Sequence, residues 1–338
     1  MIKNNPASMG VEEEYILNLA LGYQISQVLF AAVNLNIFTI LDSRAKSISE
    51  IAKEVESDEG SLKRLTNTLV ALNLLEKKNG MYLNAEIASQ YLVKGKKHYL
   101  GNTIHHCSNL WDFWGGLERQ VNSGRGRDPD GEYLKNFSHR LKDYLAAMND
   151  FAALKAEAIA NAISINECKK MLDLGCGPGT YAIAFTAQNP ELYCTIVDLE
   201  PNLVYTRRLI TRSRYRKRIS IAACQILEDE LPGSGYDLIF ISNLIHIYGE
   251  TDVKKIMRKA WSAAATPGKI IIHDYILNKS EYGPLYASLF DLTMLVGTPH
   301  GKCYTILEIK DLLKSLGAKN IRQKSVSLGS SLVIGEKR

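Results

Sequence analysis

Cysteine, excess charge and long apolar runs are all scarce in this chain, and each shortage narrows what it can be. Its 338 residues include six cysteines, at positions 107, 168, 176, 194, 224 and 303, with no CxxC pair and no Cys/His spacing of the zinc-ribbon kind. That pattern argues against a disulfide-stapled scaffold and a structural metal, and makes a reducing cytoplasm the expected compartment. No stretch of about 18 uninterrupted apolar residues occurs, and Glu12, Glu13 and Glu14 stand where an export signal carries basic residues. Neither a signal peptide nor a membrane span is expected. The net charge is only +5, much of it from Arg207, Arg208, Arg212, Arg214, Arg216, Lys217 and Arg218. A solvated helix face is the simpler reading of that run, a nucleic-acid patch the sharper one. Internal repeats and low-complexity tracts are missing as well.

What is present is a chain of 46% hydrophobic and 23% charged residues, long enough for two domains with separate cores. Between Tyr15 and Leu41 the apolar residues cover more than one helical stripe, so that helix needs burial on several sides, as in a dimer. Ser47 and Glu50 open a short capped helix, Ser61 leads another through Leu65, Leu69 and Leu72, and Lys77 to Tyr82 read as a tight hairpin. That order is a winged helix-turn-helix. Its second helix offers DNA only Lys63, Arg64 and Asn67, which favours a structural role over a DNA reader. His105, His106 and Cys107 are adjacent on a helix and diverge, so they suit packing or pocket lining rather than one metal ion. Residues 122–131 look like a surface turn, and residues 141–163 like one long alanine-rich helix leading into a second domain.

Beyond that helix the rhythm changes. Apolar runs at 170–174, 192–197, 219–222, 236–241 and 269–274 alternate with helical stretches, which predicts a parallel, doubly wound α/β sheet. Runs at 320–323 and 331–335 close it as an antiparallel edge pair.

The chemistry concentrates at the ends of three strands. The first runs into Asp173-Leu174-Gly175-Cys176-Gly177-Pro178-Gly179, where side chains would block a ligand from the backbone. Thr180 stands where a dinucleotide fingerprint has its third glycine, which weakens a nicotinamide reading. Asp173 is placed to approach a cofactor ammonium, directly or through water. Asp198, ending the next strand, suits both ribose hydroxyls; a helix-capping aspartate is the plainer alternative. Residues 237–246 deliver His246 to a strand's C-terminal end, the ligand edge of open α/β sheets.

These residues resemble the small-molecule O-methyltransferases that include the plant caffeate and flavonoid enzymes, acetylserotonin O-methyltransferase and bacterial antibiotic-tailoring enzymes. The resemblance spans nearly the whole chain. It rests on the glycine turn, on Asn243-Leu244-Ile245-His246 with the amphipathic helix at 252–264, on Pro267-Gly268-Lys269, and on residues 294–305 followed by Glu308 and Leu312-Leu313. It implies a winged-helix dimerisation domain over residues 1–100, connecting helices over 101–163 that help form the substrate pocket, and a Rossmann-like, seven-stranded class I methyltransferase domain over 164–338. It implies S-adenosylmethionine as cofactor, S-adenosylhomocysteine as product, no metal, and a homodimer that engages neither nucleic acid nor membrane.

By the same resemblance His246 is the base that deprotonates an acceptor hydroxyl, and Asp274 orients it. Asp173, Gly175, Gly177, Asp198, Leu199, Gln225, Ile226 and Ser242 surround the cofactor. Trp111, Trp114, Met148, Phe151, Met294, Thr298 and Cys303 line the acceptor pocket. Two positions depart from the plant pattern around the base: Asp274 matches the first flanking glutamate, and Cys303 stands for the second, where a thiol is a poor acceptor from an imidazolium. Ile247 also replaces the usual aspartate after the histidine, and Gln225 replaces an acid. Methylation of carbon or nitrogen, non-methylating use of the same cofactor, and a winged-helix regulator with a nucleotide-sensing domain are the alternatives to O-methylation.

Overall fold

The structure, a computed structural model, describes residues 10–124, 132–326 and 329–338, with the side chains of 132–140 outside the description. Most of the turn expected at 122–131 therefore lies outside the described residues. The chain divides into two compact units, Met1–Asn109 and Leu110–Arg338.

The first unit follows its local signals. Ser47 caps Ile48–Glu54 in a reciprocal box with Glu50, because each side chain satisfies a backbone N–H the helix leaves unpaired. Helix Glu59–Ala71 begins before Ser61, since Asp58 accepts the Ser61 N–H at 2.7 Å and is the cap. Strands β1 (Leu75–Lys78) and β2 (Met81–Asn84) pair across Asn79 and Gly80, both at positive φ, as a tight hairpin requires. Asn67 is drawn away from any groove-reading role: its side-chain oxygen accepts the Tyr82 hydroxyl at 2.7 Å.

Helix Val11–Asn34 is long and apolar enough to cross a membrane, although no run in the sequence is apolar without interruption. Ile16, Leu17, Leu19, Leu21 and Ile25 on it are all exposed. Helix Gly101–Asn109 packs against it, with His105 Nδ1 at 2.8 Å from Asn34 Oδ1. His105 to Cys107 thus belong to the first unit, not to the connecting helices expected over 101–163.

The second unit is built on a seven-stranded sheet of β3 (Lys170–Leu174), β4 (Tyr193–Asp198), β5 (Ile219–Ala223), β6 (Tyr236–Ser242), β7 (Ala264–Tyr275), β8 (Lys319–Ser325) and β9 (Ser330–Lys337). Their order is β5-β4-β3-β6-β7-β9-β8. The first five are parallel, and β9 inserts antiparallel between β7 and β8. The sheet is apolar on both faces, as helices on either side require. One face packs Val253, Ile256 and Leu313 from helices Glu250–Ala263 and Ile306–Ser315. The other packs Ile159, Phe185 and Leu203. The expected single helix over 141–163 is two, Glu132–Ala153 and Ala156–Ala162, broken at Leu154 and Lys155.

Candidate active site

The C-terminal ends of β3, β4, β6 and β7 bring the expected chemistry to one edge. After β3, Gly175, Gly177 and Gly179 all have positive φ, a conformation that glycine adopts without a Cβ clash. A Cβ on Gly175 would stand 2.7 Å from Leu244 Cδ1, whereas one on Gly177 would meet nothing within 4 Å. The turn is therefore packed on one side and open in front of Gly177.

Asp198 closes the turn. Its Oδ2 accepts the Gly177 N–H at 2.7 Å, and its Oδ1 accepts the Leu199 N–H at 2.8 Å and the Asn202 side-chain amide at 2.6 Å. The sequence assigns this carboxylate to two ribose hydroxyls; in the structure it first fixes backbone, and burial raises its pKa against those three bonds. Asp173, 1% exposed, keeps one carboxylate oxygen without a hydrogen-bond partner among the described residues. Burial, and then the charge of Asp198, push its pKa up to about 8.

Asn243, at φ 50°, turns the chain out of β6 into the 3-10 turn Ile245–Ile247. His246 rides on that turn, buried, with Nδ1 2.6 Å from Asp274 Oδ1. The same oxygen accepts the Tyr275 N–H at 2.8 Å. An oxygen that already accepts a backbone N–H is not the protonated one, so Nδ1 carries the hydrogen and donates it. Phe290 meets the imidazole edge-on at 4.8 Å between ring centroids, and stacks on Tyr275 at 4.2 Å. Behind the turn, the Lys302 N–H donates to the His246 carbonyl at 2.9 Å, and Gly301 lies so close that a Cβ there would be 2.5 Å from that oxygen.

The other expected residues divide. Ile226 is buried, Leu199 is 44% exposed, and Gln225 is exposed at the end of β5 with its backbone N–H donating to Asp229. The Ser242 hydroxyl is engaged with His273 Nδ1 at 2.8 Å, inside the sheet. Met148, Phe151 and Thr298 are half-buried, and Met294 is buried. Cys303 is buried too; burial, with Asp274 and then Asp291 nearby, pushes its thiol pKa well up. Trp111 and half-buried Trp114 form the helix Trp111–Trp114. Trp111 lines an open cavity of about 650 Å³ with Asp112, Gly115, Gly116, Glu118, Arg119 and Asn122, none of which is a neighbour of His246 named above.

Two residues escaped the sequence reading. Asp291 accepts the Cys303 N–H at 2.6 Å and anchors the segment packed behind His246; nothing in the local pattern singled it out. Lys155 is 95% buried at the helix break, being 5% exposed. A lone lysine in an alanine-rich stretch reads as solvated, so only the structure reveals it. Among the described residues no three His, Cys, Asp or Glu side chains gather as a metal site.

A parallel sheet with a glycine turn after its first strand and one antiparallel insertion at its far edge defines a class I methyltransferase. The family model of the O-methyltransferase domain matches residues 130–319, and that of the O-methyltransferase dimerisation domain matches residues 17–94. The chain belongs to the O-methyltransferase family, whose members transfer the methyl group of S-adenosylmethionine to small molecules. It is 27% identical over 312 residues to 3-hydroxy-5-methyl-1-naphthoate 3-O-methyltransferase of Streptomyces sahachiroi, covering 91% of this chain and 90% of that one. It is 27% identical to bovine (Bos taurus) acetylserotonin O-methyltransferase over 328 residues, covering 89% and 91%. The fold is that of human N-acetylserotonin methyltransferase, solved in complex with S-adenosylmethionine: TM-score 0.89 at 21% identity, covering 98% of this chain and 99% of that one.

Proposed function

We propose that this enzyme methylates a hydroxyl on an aromatic or similarly flat small molecule, with His246 as general base and Asp274 as the residue that positions it. The observation that carries this reading is the 2.6 Å contact between His246 Nδ1 and Asp274 Oδ1. Because Nδ1 donates to Asp274, Nε2 keeps its lone pair, and it has no partner among the described residues. Nε2 takes the acceptor's hydroxyl proton, and the buried carboxylate of Asp274 stabilises the imidazolium that results. Phe290 and Tyr275 fix the ring and exclude water from it.

The residues at the glycine turn fit S-adenosylmethionine. The partnerless oxygen of Asp173 is placed to meet the cofactor's ammonium, whose positive charge would favour loss of the proton that burial keeps on the carboxyl, and the space in front of Gly177 lets a ligand approach the backbone. Gly175, Asp198, Leu199, Gln225, Ile226 and Ser242 complete the assignment, Asp198 by holding the turn in shape. When bound, the cofactor supplies an electrophilic methyl on a sulfonium, and alignment of the deprotonated oxygen with it is the protein's main contribution. Met148, Phe151, Met294, Thr298 and Cys303 flank the acceptor, with Trp111 and Trp114 at its outer side. The names of the naphthoate and acetylserotonin relatives support a flat aromatic acceptor.

The exposed apolar residues of helix Val11–Asn34 and the dimerisation-domain match support a homodimer formed by residues 1–100. The helices at 110–163 then serve the pocket and residues 164–338 the chemistry. Six free thiols support a cytoplasmic setting. The reaction uses no metal and no nucleic acid.

Cys303 at the place of a second glutamate favours one other reading, transfer to nitrogen or carbon driven by positioning alone. Incubating the enzyme with labelled S-adenosylmethionine and a panel of phenols, catechols and naphthols tests the main proposal. Label in an aryl methyl ether supports it; cofactor binding with no transfer to any hydroxyl overturns it.

A further inference from the structure

Lys155 is the feature that the proposed reaction leaves unused. It sits where the helix through Met148 and Phe151 breaks, and the break turns its side chain inward to 5% exposure. Its ammonium makes no hydrogen bond and no ion pair among the described residues, and it stands over the face of Tyr275, 5.3 Å from the ring centroid. A lysine is rarely buried without a partner, because its ammonium loses its water and gains nothing in return. The cation–π contact with Tyr275 recovers a small part of that loss. Burial accordingly lowers the Lys155 pKa to about 8, against the pull of Asp274.

The surroundings say which ligand would meet this charge. Tyr275 stacks on Phe290, and Phe290 packs on His246, so ammonium and base stand at the two ends of one aromatic wall. The Lys155 charge bears on Asp274 and on His273, whereas the charge bearing on Asp173 is that of Asp198. Lys155 therefore adjoins the base and its orienting carboxylate. A flat acceptor lying along the wall with its hydroxyl at His246 Nε2 directs its far substituent toward Lys155.

We propose that Lys155 binds an anionic substituent of the acceptor, so that the substrate class is the hydroxylated aromatic carboxylic acids. The proposal rests on the O-methylation reading for its acceptor end. Its own content is a charge-assisted bond between the Lys155 ammonium and a ring carboxylate, which selects acids over neutral phenols of the same shape.

The test is equilibrium binding, with S-adenosylhomocysteine present, of hydroxybenzoic and hydroxynaphthoic acids and their methyl esters to the full-length wild-type enzyme, K155M and K155R. The wild type is expected to bind at least one acid about 10- to 100-fold more tightly than its ester. The ratio falls to near one in K155M and recovers to within a few-fold in K155R. Equal affinity for every acid and ester in the wild type overturns the proposal, a comparison that needs no variant to fold. So does a K155M enzyme that keeps the ratio, or one that loses S-adenosylhomocysteine instead. Failure of O-methylation appears separately, as a preserved acid preference with no methyl reaching oxygen.

Discussion

The Asp198 carboxylate reaches from the end of β4 to the backbone N–H of Gly177 at 2.7 Å, tying two strand ends into one rigid edge. Three of its acceptor positions are taken by protein donors, so its removal loosens the turn before it touches any ligand. Asp198→Ala is expected to weaken S-adenosylmethionine binding by about 10- to 100-fold, the loss of charge-assisted hydrogen bonds, as read by calorimetry. Unchanged affinity would show that the turn holds itself.

Gly177 permits a sharper test of the same edge. A Cβ there meets nothing within 4 Å, so Gly177→Ala costs only the strain of a positive φ, about 1 kcal/mol. Cofactor affinity is nevertheless expected to fall at least about tenfold, since the methyl stands where the ligand approaches. A folded variant with wild-type affinity would place the cofactor elsewhere.

Asp173 links the cofactor site to stability. Its folded pKa of about 8 lies above the ordinary aspartate value of 3.8, so between those pH values the folded state holds a proton that the unfolded state has released. Stability of the cofactor-free enzyme therefore falls as pH rises from about 4 to 8, by at most ~1.4 kcal/mol per pH unit from this group. Asp173→Asn is expected to raise the melting temperature at pH 8, to gain progressively less toward pH 5, and to bind S-adenosylmethionine more weakly. A gain independent of pH would contradict the assignment.

Much of this was legible in the sequence, and what was not has physical causes. Alternating apolar runs gave the five parallel strands, and glycines that need positive φ marked the turn. The order β7-β9-β8 was hidden, because β9 crosses back over a neighbour in sequence to pair with β7. The break at Leu154 and Lys155 carries no proline or glycine; the preference of alanine for helix masked it. His246 and Asp274 were paired by resemblance, and the 2.6 Å contact between them depends on the register of β6 on β7. Ser242 reads in sequence as free for a ligand, but its hydroxyl is engaged by His273, its register partner on β7.

Cys303 is a buried thiol with a raised pKa beside Asp274 and Asp291, which keeps it neutral at physiological pH. A neutral thiol neither orients an imidazolium nor attacks a methyl. Cys303→Ala is thus expected to leave kcat within about threefold, a cavity-sized change rather than a lost partner. A fall of a hundredfold or more would give the thiol a role in transfer.

The most direct measurement is single-turnover methyl transfer by His246→Ala with S-adenosylmethionine saturating. The rate is expected to fall by about two to four orders of magnitude, the usual contribution of a positioned general base, while cofactor affinity stays within a few-fold of wild type. A variant that transfers methyl at within threefold of the wild-type rate would contradict proton abstraction by His246, and would leave positioning alone to drive the reaction.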